Sequence, residues 1–509
     1  MKGFVKKLMC QDTVVIAIAI VVSVASWAVF YAQGSTLGYK DTFSHLEIGR
    51  RIVAGQSTGF GQLGGIWLPL PHLLMIPLAW SQTLYLTGLS GSIVSMAAYV
   101  ASVWALFRLM LRLTGRRSAA WVAIVIFGLN PDMLYLQSTP MGETLMYMTI
   151  LLAVLGLVHW VQTDRYQYLL LASVSVFALT LVRYEGWVMA MALIGVVGYV
   201  CVRKGYALFR GDQKAQGLTL AFAFLPAIGI GGWMLWNRLI FGDWLNWLHG
   251  QYSSKDQVST LVLNQVGNLD VAALTYWYGM VHILTIPLVA LAAVGLVVML
   301  VKEKLSPTMA VVLSTFVPGA FLVYGLYSGS QPMQVAEIDG SIYNLRFGVV
   351  MLIPASIFAG YLVALLPSRF WLRTIAALAC VVVVTGFTVT TFVSGSQTSI
   401  ITNQEAHEAV SHLSEQRELS EWLAANTNGR ILAQAFENER VIFDVQTRTV
   451  YEGSREWDAA LAQPAQAGID AIVMRTASPD GVYARLHDSS LLSGWAVAHR
   501  TASYTVLTR

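Results

Sequence analysis

Charge is scarce in this chain. Asp, Glu, Lys and Arg make up 12% of its 509 residues, about half the quarter that soluble domains carry. Hydrophobic residues reach 56%, and the mean hydropathy is +0.60. An ordinary soluble domain is excluded. Cysteine is almost missing: Cys10, Cys201 and Cys380 stand far apart, in or near apolar runs, which excludes a disulfide framework or a cysteine metal site. There is no long basic tract. The formal charge is only +4, and the basic residues fall in short clusters, so a nucleic-acid partner is excluded. The period-two alternation of a β-barrel is also lacking.

What is present is a series of apolar runs of about 20 residues, the length an α-helix needs to cross hydrocarbon without leaving backbone groups unpaired. Runs near 13–32, 89–111, 119–136, 143–162, 166–183, 187–203, 217–236, 280–301, 307–327, 346–366 and 371–393 predict about eleven crossings. The first, behind Lys2, Lys6 and Lys7, is too long for a signal-peptide core and reads as a retained anchor. With the N-terminus inside, the clusters Arg108/Arg112/Arg116/Arg117, Arg165, Arg203/Lys204/Arg210/Lys214, Lys302/Lys304 and Arg369/Arg373 also fall inside, as the positive-inside rule requires. That parity holds only if "WLPLPHLLMIPLAW", Trp67 to Trp80, does not cross completely. Its three prolines fit a re-entrant or interfacial piece.

The expected fold is an α-helical polytopic membrane protein. Residues 1–393 form the membrane domain, with a first outer loop at 34–88 carrying interfacial helices. Residues 394–509 form a small extracytoplasmic α/β domain, opened by the amphipathic "TNQEAHEAVSHLSEQRELSEWLAANT" and continued by strand-like "RILAQ", "ERVIFDV", "IDAIVMR" and "WAVAHRTASYTVLTR".

On this topology the charges gather on the outer face. "YKDTFSHLEIGRRIVAG" reads as an interfacial helix with Asp41 at its start and His45 one turn on. Glu143 opens the fourth span, Arg183 and Glu185 end the fifth, and Arg346 begins the tenth. Each has an ordinary structural reading. Asp41 would cap its helix while Arg50 and Arg51 meet headgroups, Glu143 would complement a helix dipole, and Arg183 with Glu185 would be a local ion pair. Taken together they describe an outer cavity with carboxylates to handle a hydroxyl and guanidiniums to hold an anion at the lipid boundary, for which a lipid-linked phosphate is the natural ligand. Trp244, Trp247, His249 and Tyr252, in the loop after span seven, read first as an interfacial aromatic belt and second as a sugar platform.

These features resemble the GT-C superfamily of membrane glycosyltransferases. The likeness rests on an uncleaved first span followed by an early acid ("YKDTFSHLEIGRR"), a second acid after the third span ("TPMGET"), and an Arg-aromatic pair opening a late span ("NLRFGVVMLIP"). It covers the whole chain as an architecture. The resemblance implies sugar transfer from a polyprenyl-phosphate-linked donor to a protein, lipid or glycan acceptor at the outer face of the inner (plasma) membrane. By position, Asp41 corresponds to the essential acid of the first loop, Glu143 to the second acid and Arg346 to a donor-phosphate contact. Protein O-mannosyltransferases commonly carry Asp-Glu in the first loop, and here Thr42 follows Asp41, a departure from that subfamily.

On this basis Asp41 is expected as general base with inversion. Glu143 would orient the acceptor or help hold a divalent metal, although no metal or other cofactor is required by any motif. Arg346, with Arg183 and Lys40, would contact the donor phosphate, and His45, Glu185, His249, Tyr252 and Tyr343 are candidate substrate contacts. A flippase or secondary transporter is the alternative from another class. It predicts ionisable groups at mid-membrane, where these spans have almost none. A partner-binding scaffold would not need eleven spans.

Overall fold

The computed structural model describes residues 2–206, 213–250, 253, 263–367, 370–393 and 400–509. Arg210, Tyr252 and Arg369 lie outside the described residues. Among the described residues, nine helices are long and apolar enough to cross a membrane: Gln11–Ala32, Leu89–Thr114, Glu143–Thr163, Glu185–Arg203, Lys214–Phe241, Ile286–Glu303, Pro307–Ser328, Leu345–Leu365 and Trp371–Thr390. They overlap nine of the expected runs. The other two are shorter helices, Arg117–Gly128 and Tyr166–Thr180, about 18 and 22 Å long at 1.5 Å per residue. The first is extended by Pro131–Leu136, whose start is fixed by the Asn130 side chain accepting from the Asp132 and Met133 amides. The proline-rich segment forms a ten-residue helix, Leu70–Ala79, with Pro77 inside it. That helix is about 15 Å long, half the hydrocarbon thickness.

One stretch differs from expectation. The region before the eighth span contains a sixteen-residue helix, Leu269–Leu284, capped by the Asn268 side chain. It ends at Thr285, whose φ is +64°, and Ile286–Glu303 then starts with Pro287 in its first turn. Pro287 has no N–H to continue the earlier ladder, so the apolar run expected at 280–301 belongs to two helices.

The chain divides into two units. One comprises Met1–Thr36, Gly65–Pro71 and Ser92–Glu405, the other Leu37–Gly64, His72–Gly91 and Ala406–Arg509. The first holds the apolar helices. Val21, Leu220, Leu239, Val301, Val382 and Val383 lie exposed on it, as side chains that face lipid do. Inside, a Cβ at Gly360 would come within 2.9 Å of the Ala119 carbonyl. Glycine therefore lets the helix Leu352–Leu365 approach Arg117–Gly128 at backbone distance.

The second unit is built on a five-stranded sheet: β1 (Arg430–Leu432), β2 (Thr449–Val450), β3 (Ile469–Arg475), β4 (Ala496–Arg500) and β5 (Tyr504–Thr508), in the order β2-β1-β3-β5-β4. β1 runs parallel to β2 and β3, and β5 antiparallel to β3 and β4. β3 is apolar on both faces because both are covered. Ala471 and Val473 pack with Leu419 and Leu423 of the helix Ser414–Asn426. Ile472 and Met474 pack with Val482 and Leu486 on the other side. The expected strand "ERVIFDV" is instead helical, as Glu439–Ile442 followed by a 3-10 stretch Phe443–Arg448. Its β-branched residues carry strand propensity, but Val441, Ile442 and Val445 fill the core beneath the sheet, and Arg440 and Asp444 pair across one turn at 2.9 Å; context overrides propensity.

Candidate active site

In the first unit the structure gathers four of the expected charged residues. Glu143 is the first residue of its helix, after the buried turn Gln137–Ser138–Thr139. That turn is held by side chains: Ser92 donates to the Ser138 carbonyl and Ser95 to that of Met141, both at 2.9 Å. Gln137 Nε2 donates to Ser138 Oγ at 2.7 Å, so the polar backbone is satisfied although buried. Arg183 lies in the turn between Tyr166–Thr180 and Glu185–Arg203. Its Nε reaches Glu185 Oε1 at 3.0 Å and its Nη1 reaches Glu143 Oε1 at 3.0 Å. Arg346, in the 3-10 turn Leu345–Met351, places its Nε 3.1 Å from the same Glu143 Oε1.

The Phe347 ring lies 5.5 Å from the Arg183 guanidinium carbon and 5.7 Å from that of Arg346, within reach of a cation–π contact. Two carboxylates and two guanidiniums make the cluster formally neutral. Only Arg183 is appreciably accessible, its side chain 19% exposed against 2% for Glu143 and 7% for Arg346. Among the described residues Glu143 Oε2 is buried and accepts no hydrogen bond, an orphan that in a native site calls for a ligand or water. Aromatic residues adjoin Arg183 and Glu185: Tyr184 stacks on Trp247 at 4.6 Å, and Trp187 meets Trp247 edge-on at 5.1 Å. Tyr184 Oη donates to the Ile66 carbonyl at 2.6 Å. The grouping of Tyr184 and Trp187 with Trp247 is not readable from spacing, because Trp247 comes from a distant loop.

The remaining candidates stand elsewhere. His249 is exposed, its Nδ1 3.8 Å from Asp243. Tyr343 is also exposed, its backbone bridged to Gln334. Tyr252 lies outside the described residues.

Lys40, Asp41 and His45 belong to the second unit, on the helix Lys40–Val53. The helix begins at Lys40, which places Asp41 inside the first turn rather than at the cap. Its apolar face, Phe43 and Leu46, packs with Tyr85 and Phe443. Lys40 Nζ is 3.9 Å from Glu439 Oε2. His45 Nδ1 is 2.9 Å from Nε2 of the buried His72, with the rings stacked. The headgroup reading of Arg50 and Arg51 is corrected. Arg50 is buried and donates to the Ala79 carbonyl and, at 2.7 Å, to Gln82. Arg51 pairs with Glu47 and lies 4.0 Å over the Tyr451 ring. Among the described residues no three His, Cys, Asp or Glu side chains converge as metal ligands would.

Burial pushes the Glu47 carboxyl up to about 8, with Arg51 drawing it back down. A raised acid binds its proton more tightly in the folded state. The stability it contributes is therefore fully present below about pH 4.5, the unfolded value, and is lost as pH rises to about 8. Thermal melts of the wild type should show stability falling across that window, by at most about 1.4 kcal/mol per pH unit from this group. Glu47→Gln should flatten the slope. An unchanged slope in the variant would assign it to other groups.

No known protein family matches the chain by sequence, and no curated protein matches it. Solved structures do. The chain is similar to ArnT from Cupriavidus metallidurans bound to undecaprenyl phosphate, with a TM-score of 0.55 and 13% identity over 97% of both chains. It is similar to the apo form of the same protein, at a TM-score of 0.55 and 14% identity over 98% of both. It is also similar to the oligosaccharyltransferase AglB from Archaeoglobus fulgidus, in complex with an inhibitory peptide and a dolichol-phosphate. There the TM-score is 0.50 and the identity 10%, over 91% of this chain and 69% of that one. At such identities the likeness shows the fold alone: the chain shares the architecture of these two membrane proteins over most of its length.

Proposed function

We propose that this chain is an integral membrane glycosyltransferase that moves a sugar from a polyprenyl-phosphate-linked donor to an acceptor hydroxyl on the extracytoplasmic face. The observation that carries the reading is the Glu143–Arg183–Glu185–Arg346 cluster at the ends of apolar helices, in a fold shared with a protein whose structure holds undecaprenyl phosphate. Guanidiniums keep their charge at a lipid boundary and grip phosphate oxygens in a planar fork. In the reaction the acceptor oxygen attacks the anomeric carbon, the bond from that carbon to the phosphate oxygen breaks, and the configuration inverts. Asp41 takes the hydroxyl proton. The polyprenyl phosphate leaves as an anion, its charge stabilised by Arg346 and Arg183.

Glu143 sets the two guanidiniums through Oε1, and its Oε2 is free to accept from the incoming hydroxyl. Tyr184, Trp187 and Trp247 supply flat apolar faces on which a sugar ring stacks. The acceptor class, whether protein, lipid or glycan, follows from a panel of each.

In lipid, with a panel of polyprenyl-phosphate sugars, wild-type protein should transfer sugar or hydrolyse the donor. Arg346→Ala should weaken donor binding at least tenfold, the loss of one charge-assisted contact. A donor dissociation constant unchanged in that variant would overturn the phosphate role of Arg346. Failure of the wild type on every donor would overturn the function. Retention at the anomeric carbon would contradict a single base.

A further inference from the structure

The turn that carries Arg346 is held from within by a bond from Phe347 N–H to the Asn344 carbonyl at 3.1 Å, and from outside by another part of the chain. Asn344 and Leu345 are the two residues before it, and their amides open the 3-10 stretch Leu345–Met351. Amides at such a start have no partner within the helix. Here both donate to one carboxylate from far along the chain, Asn344 N–H to Glu405 Oε1 at 2.6 Å and Leu345 N–H to Glu405 Oε2 at 3.0 Å. Bonds from amides to a charged acceptor are among the strong ones.

Asn344 adopts φ +55°, the left-handed region that asparagine enters more readily than other L-residues. Its side chain adds a second tie, Nδ2 donating to the Pro332 carbonyl at 2.9 Å. Glu405 is itself fixed. It is 6% exposed, and three residues earlier Thr402 is gripped by the buried Asp132, whose Oδ1 accepts from the Thr402 amide at 3.0 Å and its hydroxyl at 2.8 Å.

We propose that Glu405 is a positioning residue for donor binding: by holding the amides of Asn344 and Leu345 it sets the turn that aims Arg346 at Glu143. This rests on the reading of Arg346 as a phosphate contact. Glu405 touches neither phosphate nor sugar. Its effect passes through the backbone of the two residues that precede Arg346.

The test uses full-length protein in lipid nanodiscs, with undecaprenyl phosphate as the binding probe and hydrogen exchange as an independent readout. Glu405→Gln keeps the size but presents an amide N–H₂ where a carboxylate oxygen accepts. It should weaken undecaprenyl phosphate about tenfold, raise the KM for donor while leaving that for acceptor unchanged, and speed amide exchange across residues 344–351. Introduced into Arg346→Ala, it should weaken the probe no further, because the group it aims is gone.

Additive loss in the double variant, or a fall in active fraction with both KM values unchanged, would mean general destabilisation and overturn the proposal. Unchanged exchange at 344–351 would overturn it as well. If the wild type fails to bind undecaprenyl phosphate, the functional reading falls and with it the role in donor binding. The exchange measurement still decides whether Glu405 holds the turn.

Discussion

Glu143→Ala should cost the protein about 3–5 kcal/mol of stability, the range found when one member of a buried ion pair is removed. The number follows from local charge. Glu143 Oε1 faces both Arg183 and Arg346, and Glu185 is the other carboxylate at Arg183. Deleting Glu143 leaves two guanidiniums with one carboxylate in a region screened from water, where like charges repel strongly. Thermal or denaturant unfolding in lipid or detergent reads the loss. Glu143→Gln keeps the volume and an acceptor, and should cost less. Pairing Glu143→Ala with Arg346→Ala restores neutrality, so the double variant should be more stable than the sum of the single losses implies. A Glu143→Ala protein as stable as wild type would mean that the cluster is solvated rather than buried.

Asp41→Asn should lower the turnover of sugar transfer by about 10² to 10⁴, the span that a positioned general base contributes. The change is isosteric. Asp41 sits in the first turn of the helix Lys40–Val53, and a melting curve taken beside the rate separates a loss of catalysis from a loss of folded protein. Donor binding by Asp41→Asn should persist, because a base acts on the acceptor's proton and not on the phosphate. Activity undiminished in this variant would remove Asp41 from the mechanism.

The sequence made the membrane helices easy to find, because hydrocarbon imposes the same length and the same apolarity on each. Leu269–Leu284 escaped because its apolar residues run straight into those of the next span. Only Pro287 and the backbone at Thr285 divide them. "ERVIFDV" misled for the opposite reason, since valine, isoleucine and phenylalanine favour strands yet also fill a core from a helix.

Glu143, Arg183, Glu185 and Arg346 stood out as charges at the ends of apolar runs, and their proximity in the first unit follows from the alternation of helix directions. Glu405 did not stand out. It is one acid among several in an amphipathic stretch, and nothing in its spacing tells that its carboxylate closes on amides sixty residues back. Arg50 and Arg51 show the same limit: a basic pair beside a membrane suggests lipid until the carbonyl, carboxylate and rings that occupy them are seen.

β4 forms one margin of the sheet, with Val497 more than half exposed, and its pairing with β5 slips between Val497 and His499. Such a kink breaks the regular row of outward amides and carbonyls that another chain's strand would need as a template, and Arg500 sets a charge beside it. Proteins crowded together in a bilayer meet their own copies constantly. An irregular, charged margin lets those encounters end without one sheet growing onto the next.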